Sequence, residues 1–185
     1  MSGGHESAGG RGRGMRDVGE IVYDEESLRQ RVQELGAEIS DAFGPEDRLL
    51  VVGLLKGSFV FLADLVRSIH IPLHVDFLVA ASYGDATESS GEVRLLYEPS
   101  TDLGGRTVLV VEDIVDSGTT LRRLIPRLEA RGASRVEVCA LLHKRRTVAE
   151  IDPRWVGFDA PNHFLVGYGL DHAEDFRHLP YIARL

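Results

Sequence analysis

The chain has 185 residues, 43% of them hydrophobic, a formal net charge of -8 and a single cysteine. That length supports one sizeable core but not two, and the acidic balance excludes a broad basic surface for nucleic acid while leaving room for a local anion site. No stretch approaches the ~18 apolar residues of a membrane span, the N-terminus lacks the apolar core of a secretory signal, and Cys139, set in an apolar run, reads as a buried residue of a reduced compartment, so a cytoplasmic protein is expected.

Residues 1–14 hold six glycines and almost nothing apolar, too little to offset the entropy of ordering. They read as a disordered tail ahead of a single domain over 15–185, and Met15 offers a second translational start. From Ser27 to Phe43, the residues Leu28, Val32, Leu35, Ile39 and Phe43 recur every three or four positions, the spacing of one buried helix face, and Gly44-Pro45 ends the run. Leu49–Leu55 is apolar without alternation, as in a strand covered on both faces. Ser58 stands where a helix cap belongs, ahead of Phe59, Leu62, Leu65, Val66 and Ile69 at helical spacing. A strand follows over Leu73–Ala81, then a loop over 82–91 rich in Ser, Gly, Asp and Glu, then a strand over Glu92–Tyr97.

Thr107–Val111 is a further β-branched strand. The helix after it carries Leu121, Leu124, Ile125 and Leu128, stops at Gly132, and contains Pro126, which removes a backbone donor and should bend the axis. Arg135–Leu142 is another buried strand. Strands alternating with helices predict an α/β fold with a parallel-rich central sheet flanked by helices. Ligands in such sheets bind beyond the carboxyl ends of the strands, which selects the loops after Leu55, Val111 and Leu142.

The loop after Val111 carries the strongest chemical signal. Ser117, Gly118, Thr119 and Thr120 combine hydroxyls with a glycine where a helix begins, so backbone N–H groups and the helix dipole converge on an anion-sized space. Glu112 and Asp113, at the end of the strand, suit sugar hydroxyls or a metal ion, and Asp116 adds a third carboxylate. In isolation, Asp116 and Ser117 serve equally well as an ordinary helix cap. The whole run from Val108 to Thr120, with its hydrophobic residues, paired acids and Asp-Ser-Gly-Thr-Thr turn, resembles the phosphoribosyl-diphosphate signature of type I phosphoribosyltransferases. Leu55-Lys56-Gly57-Ser58, Ser82-Tyr83-Gly84, His143-Lys144-Arg145, Val156-Gly157-Phe158 and Phe164 to Asp171 resemble, in order, the motifs of the hypoxanthine-guanine group of that family, over about Asp17 to the C-terminus.

The resemblance implies the type I fold with a small hood built from the N- and C-terminal segments. It implies a magnesium-dependent transfer in which hypoxanthine or guanine and 5-phosphoribosyl 1-diphosphate (PRPP) give IMP or GMP and diphosphate, a purine salvage reaction. Carried over residue by residue, Glu112 and Asp113 bind the ribose hydroxyls, Asp116 to Thr120 hold the 5′-phosphate, and Asp116 faces purine N7. There it either moves a proton or only accepts a hydrogen bond. Lys56, Gly57, Ser82, Tyr83 and Arg177 belong to the pyrophosphate site, with Leu55-Lys56 the position of a cis peptide in the family; the loop opened by Ser82 and Tyr83 is then a lid, against the plainer reading of a solvated hairpin loop.

By the same resemblance Lys144 would read the purine 6-oxo group, where a donor-only ammonium suits a carbonyl and not an amine. The resemblance also implies that Phe164 stacks on the base, against the plainer reading of core packing, and that Leu165 offers its carbonyl to the 2-amino side of guanine. Asp171, with Glu112 and Asp113, is the candidate set of Mg2+ ligands, a hard cation satisfied by few carboxylates and diphosphate oxygens; His143, His163 and His172 form no zinc pattern. The stretch Arg146 to Asp152 is shorter and more acidic than in the vertebrate form, so contacts made there do not transfer. A homodimer or homotetramer is the family's assembly. A xanthine-directed sister enzyme and a nucleic-acid-binding regulator on the same fold are the competing readings, the second opposed by the acidic charge and by Asp116.

Overall fold

The computed structural model describes residues 18–82, 93–145 and 151–185. The glycine-rich stretch 1–14, the expected lid from Tyr83 onward and the stretch 146–150 lie outside them. The chain first forms strand β1 (Ile21–Tyr23), then helix α1 (Glu25–Ala42). The helix begins earlier than its apolar periodicity announces, because Asp24 caps it by accepting from the Ser27 N–H at 2.8 Å, and Glu25 and Glu26 complement the positive end of its dipole. Strand β2 (Leu50–Leu55) leads into helix α2 (Phe59–Ser68), followed by β3 (His74–Ser82), β4 (Val93–Tyr97) and β5 (Thr107–Val115). Helix α3 (Thr119–Ala130) runs through Pro126, and β6 (Arg135–His143), β7 (Trp155–Asp159), β8 (Leu165–Val166) and β9 (Ile182–Arg184) complete the chain.

Six strands form the main sheet in the order β4-β3-β2-β5-β6-β7, parallel throughout except for β4, which pairs antiparallel with β3 at one edge. The unbroken apolar character of β2 follows from its central place. Leu50, Val52 and Leu54 face a core shared with Leu121, Leu124 and Leu128 of α3, whereas Val51 faces the opposite core with Leu28, Leu35 and Ile39 of α1 and Phe61 and Leu65 of α2. Both faces of the sheet are covered at β2, as a central parallel strand requires, whereas Val75 and Phe77 of β3 remain exposed towards the edge. Cys139 is wholly buried in the α1/α2 core, where desolvation pushes its thiol pKa up. The hood is a second sheet of three strands, β1-β9-β8, which joins the two ends of the described chain.

Two local expectations change. Ser58 precedes α2 but does not cap it; its hydroxyl is buried and donates to the Leu54 carbonyl at 2.7 Å, so it ties the turn back to β2. Strand β5 continues through Val115, because Glu112, Ile114 and Val115 pair with Ala140, Leu142 and His143 of β6. The acidic pair therefore lies within the strand and not beyond its end. Among the described residues no helix is long and apolar enough to cross a membrane.

Candidate active site

The chain leaves β2 for β3 on one side and later returns to β5 on the other, so the order of strands reverses between β2 and β5. At such a point the loops at the carboxyl ends separate and open a crevice. Here the turn after β2 and the carboxyl half of β5 line a cavity of about 170 Å³, which includes Leu55, Lys56, Gly57, Glu112, Asp113 and Thr120. A larger hollow of about 780 Å³ lies between α1, α2 and the segment around Tyr168–Pro180. The paired acids, the hydroxyl-rich turn and the lysine after β2 converge on the smaller one.

The Leu55–Lys56 peptide is cis. Gly57 admits no side chain: a Cβ there would stand 1.7 Å from Asp113 Oδ2. Glycine is required because the turn after β2 lies directly against the carboxylate of β5. Glu112 is partly exposed as a residue, yet its Oε2 is buried without a hydrogen-bond partner. Burial, and then the charge of Asp113, hold its carboxyl well above the usual range. Asp113 is also raised, chiefly by burial, against the lowering effect of backbone N–H groups and Arg177.

Beyond Val115 the backbone turns through Gly118, whose φ of 75° is open to glycine at little cost, and α3 starts. Gly118 has no side chain with which to cap the helix, and no cap is seen. Ser117 Oγ lies 2.9 Å from Thr119 Oγ1, which groups the two hydroxyls at the helix N-terminus. On the neighbouring loop, Lys144 donates its backbone N–H to the Val115 carbonyl at 2.9 Å, and its Nζ contacts Asp116 Oδ2 at 2.9 Å. The ends of β5 and β6 thus present a cation and a carboxylate side by side.

The C-terminal segment supplies a second group of charges. Arg177 Nη2 lies 2.8 Å from Asp171 Oδ1, and Nη1 donates to the Gly169 carbonyl at 2.8 Å. Glu174, which the sequence reading passed over, contacts both Lys56 Nζ at 3.0 Å and Arg177 Nη2 at 3.4 Å. Its position three residues after Asp171 and three before Arg177 is the only trace of this in the sequence.

Phe164 does not pack in the core: it is 57% exposed and meets His172 edge to face with ring centroids 5.3 Å apart. Leu165 is buried in β8. Ser82 closes β3 opposite Val93, and Tyr83 lies outside the described residues.

A family model described as a phosphoribosyl transferase domain matches residues 19–173. The chain belongs to the phosphoribosyltransferase family. Within the family it is 42% identical over 170 residues to the hypoxanthine-guanine phosphoribosyltransferase of Dictyostelium discoideum, covering 90% of this chain and 94% of that one. A solved hypoxanthine-guanine phosphoribosyltransferase of Bacillus anthracis superposes with a TM-score of 0.85 at 42% identity, over 91% of this chain and 99% of that chain. A hypoxanthine phosphoribosyltransferase of Staphylococcus aureus does so with a TM-score of 0.86 at 38% identity, over 91% and 92%. The parallel-rich sheet with flanking helices and a hood is the type I phosphoribosyltransferase fold that the sequence led us to expect, and the kinship is with the hypoxanthine-guanine group.

Proposed function

We propose that this phosphoribosyltransferase joins hypoxanthine or guanine to the phosphoribosyl group of PRPP, giving IMP or GMP and diphosphate. The observation that carries this reading is the Lys144–Asp116 pair, a donor and an acceptor 2.9 Å apart on adjoining loops. A 6-oxopurine carries O6, an acceptor, beside N7 on one edge of its ring. Lys144 would donate to O6, and Asp116 would take a proton from N7 as N9 bonds to the anomeric carbon and the bond to diphosphate breaks. Adenine presents an amino donor in place of O6, which an ammonium group cannot serve. Exposed Phe164, at the hood, is available to stack on the base, and the backbone of Leu165 lies beside it.

The same arrangement supports the other roles. Ser117, Gly118, Thr119 and Thr120 at the start of α3 suit the 5′-phosphate, where backbone N–H groups and the helix dipole favour an anion. Glu112 and Asp113 suit the ribose hydroxyls: a buried carboxylate oxygen without a partner is costly and a sugar hydroxyl would satisfy it. Lys56, the backbone of Gly57, Arg177 and Ser82 at the end of β3, with Tyr83 next in the sequence, would take the diphosphate.

Among the described residues no three carboxylates are grouped to hold a metal ion by themselves, so Mg2+ would be held by one or two of them together with diphosphate oxygens and water. Glu112, Asp113 and Asp171 are the hard oxygen ligands available, and the first two have pKa values raised chiefly by burial, so a nearby cation would favour their charged form. Magnesium, when bound, would neutralise charge on the diphosphate. A cytoplasmic homodimer or homotetramer is our reading of the assembly, supported by the large apolar side chains of Phe59, Val75, Phe77, Leu96 and Tyr97 exposed to solvent.

The base-reading role is tested by kcat/KM for hypoxanthine against adenine in Lys144→Met. Leaving the purine O6 unpaired should reduce the preference for hypoxanthine about 10- to 100-fold. A preference unchanged in the variant would remove Lys144 from base recognition.

A further inference from the structure

A single oxygen of Glu174, Oε2, faces both Lys56 Nζ at 3.0 Å and Arg177 Nη2 at 3.4 Å, drawing together cations from the turn after β2 and from the C-terminal segment. The backbone that presents it is unusual. Ala173, Glu174 and Phe176 have φ values of 53°, 70° and 75°, a region that residues with side chains rarely occupy and that concentrates at functional sites. The turn is closed by reciprocal backbone hydrogen bonds between His172 and Asp175, at 3.2 and 3.1 Å, and the Glu174 N–H donates to Asp171 Oδ2 at 2.9 Å. An ordinary surface ion pair needs none of this.

The side chains of Lys56 and Glu174 are nevertheless 64% and 65% exposed, so their attraction is weakened by solvent and easily exchanged. A fixed presentation combined with a weak contact suits a group that occupies a position until a stronger anion replaces it.

We propose that Glu174 is a positioning residue of the diphosphate site, an internal anion that holds Lys56 and Arg177 together when the site is empty and gives way to diphosphate. This rests on the assignment of Lys56 and Arg177 to diphosphate made above. Diphosphate carries more charge than one carboxylate and displaces it, and Glu174, returning to the two cations, weakens product affinity and favours release.

The test is calorimetric titration of the full chain with inorganic diphosphate, in magnesium, at low and at high salt. Glu174→Gln keeps the size and removes the charge; it should bind diphosphate about two- to tenfold more tightly at low salt, the scale of an exposed ion pair, and converge on the parent at high salt as screening removes the competitor. Glu174→Asp keeps the charge on a shorter arm that cannot bridge both cations, and it should tighten binding in the same way. Equal affinity in Glu174→Gln and the parent would overturn the proposal. Tightening by Glu174→Gln but not by Glu174→Asp would also overturn it, by reducing the effect to diffuse charge. A parent chain that binds no diphosphate would overturn the assignment of Lys56 and Arg177 itself, a failure distinct from that of Glu174.

Discussion

Asp116 and Lys144 lie 28 residues apart, and the sheet brings them together because β5 and β6 are parallel neighbours. For a general acid-base group, Asp116→Asn should lower kcat about 10²- to 10⁴-fold, while calorimetry should find PRPP affinity little altered. A normal kcat would leave Asp116 with a binding role only. Gly57→Ala tests the contact between the turn after β2 and Asp113, since the new Cβ would fall 1.7 Å from Asp113 Oδ2. Overpacking of this kind costs about 1–3 kcal/mol, so its melting temperature should fall by several degrees, together with a loss of kcat/KM. At this scale the sequence was readable where a motif held its residues close together, as from Glu112 to Thr120. Glu174 was not readable, because its partners Lys56 and Arg177 are assembled only by the fold.

The elements show the same division. The periodicity of α1 and the apolar run of β2 located both to within a few residues, since burial sets the pattern. The extent of β5 past Glu112 depends on pairing with β6, which periodicity does not encode. Asp76 makes the point in β3. In the sequence it interrupts an apolar strand; in the structure it is 6% exposed, and Oδ2 accepts the Thr101 N–H at 2.9 Å and hydroxyl at 2.7 Å while Oδ1 accepts the Phe77 N–H at 2.8 Å. It thereby fastens the connection between β4 and β5 to the sheet. Burial opposes its ionisation, but the hydrogen bonds from Thr101, Phe77 and Ser100 prevail and its pKa is lowered.

A lowered folded pKa means that the stabilisation by Asp76 is present above the ordinary aspartate value and is lost as pH falls through the folded one. Asp76→Asn should therefore cost about 1–3 kcal/mol at neutral pH, and denaturant melts should show the gap from the parent closing below about pH 4. A gap independent of pH would mean that the charge of Asp76 contributes nothing.

At the scale of the whole molecule, the two ends of the described chain meet in the hood, where β9 pairs with both β1 and β8. Ile182 and Ala183 of β9 are fully buried. Removing residues 182–185 should therefore dissolve the hood sheet and leave the PRPP half intact, and since misplacing a bound substrate by about 1 Å can cost up to about 10²-fold, KM for the purine should rise at least tenfold (about 1.4 kcal/mol) with KM for PRPP nearly unchanged. Equal effects on both substrates would contradict the division of labour between hood and sheet. The parallel sheet was legible from alternating strands and helices, whereas the hood was expected only through family resemblance, since strands as short as β1, β8 and β9 carry little periodicity.

The most direct test of the proposed transfer is product formation from PRPP and Mg2+ with hypoxanthine, guanine, xanthine, adenine and orotate offered separately, each repeated with chelator. The expected products are IMP and GMP, abolished by chelator, with little product from adenine or orotate; turnover confined to adenine or orotate, or none with any base, would contradict a hypoxanthine-guanine transferase.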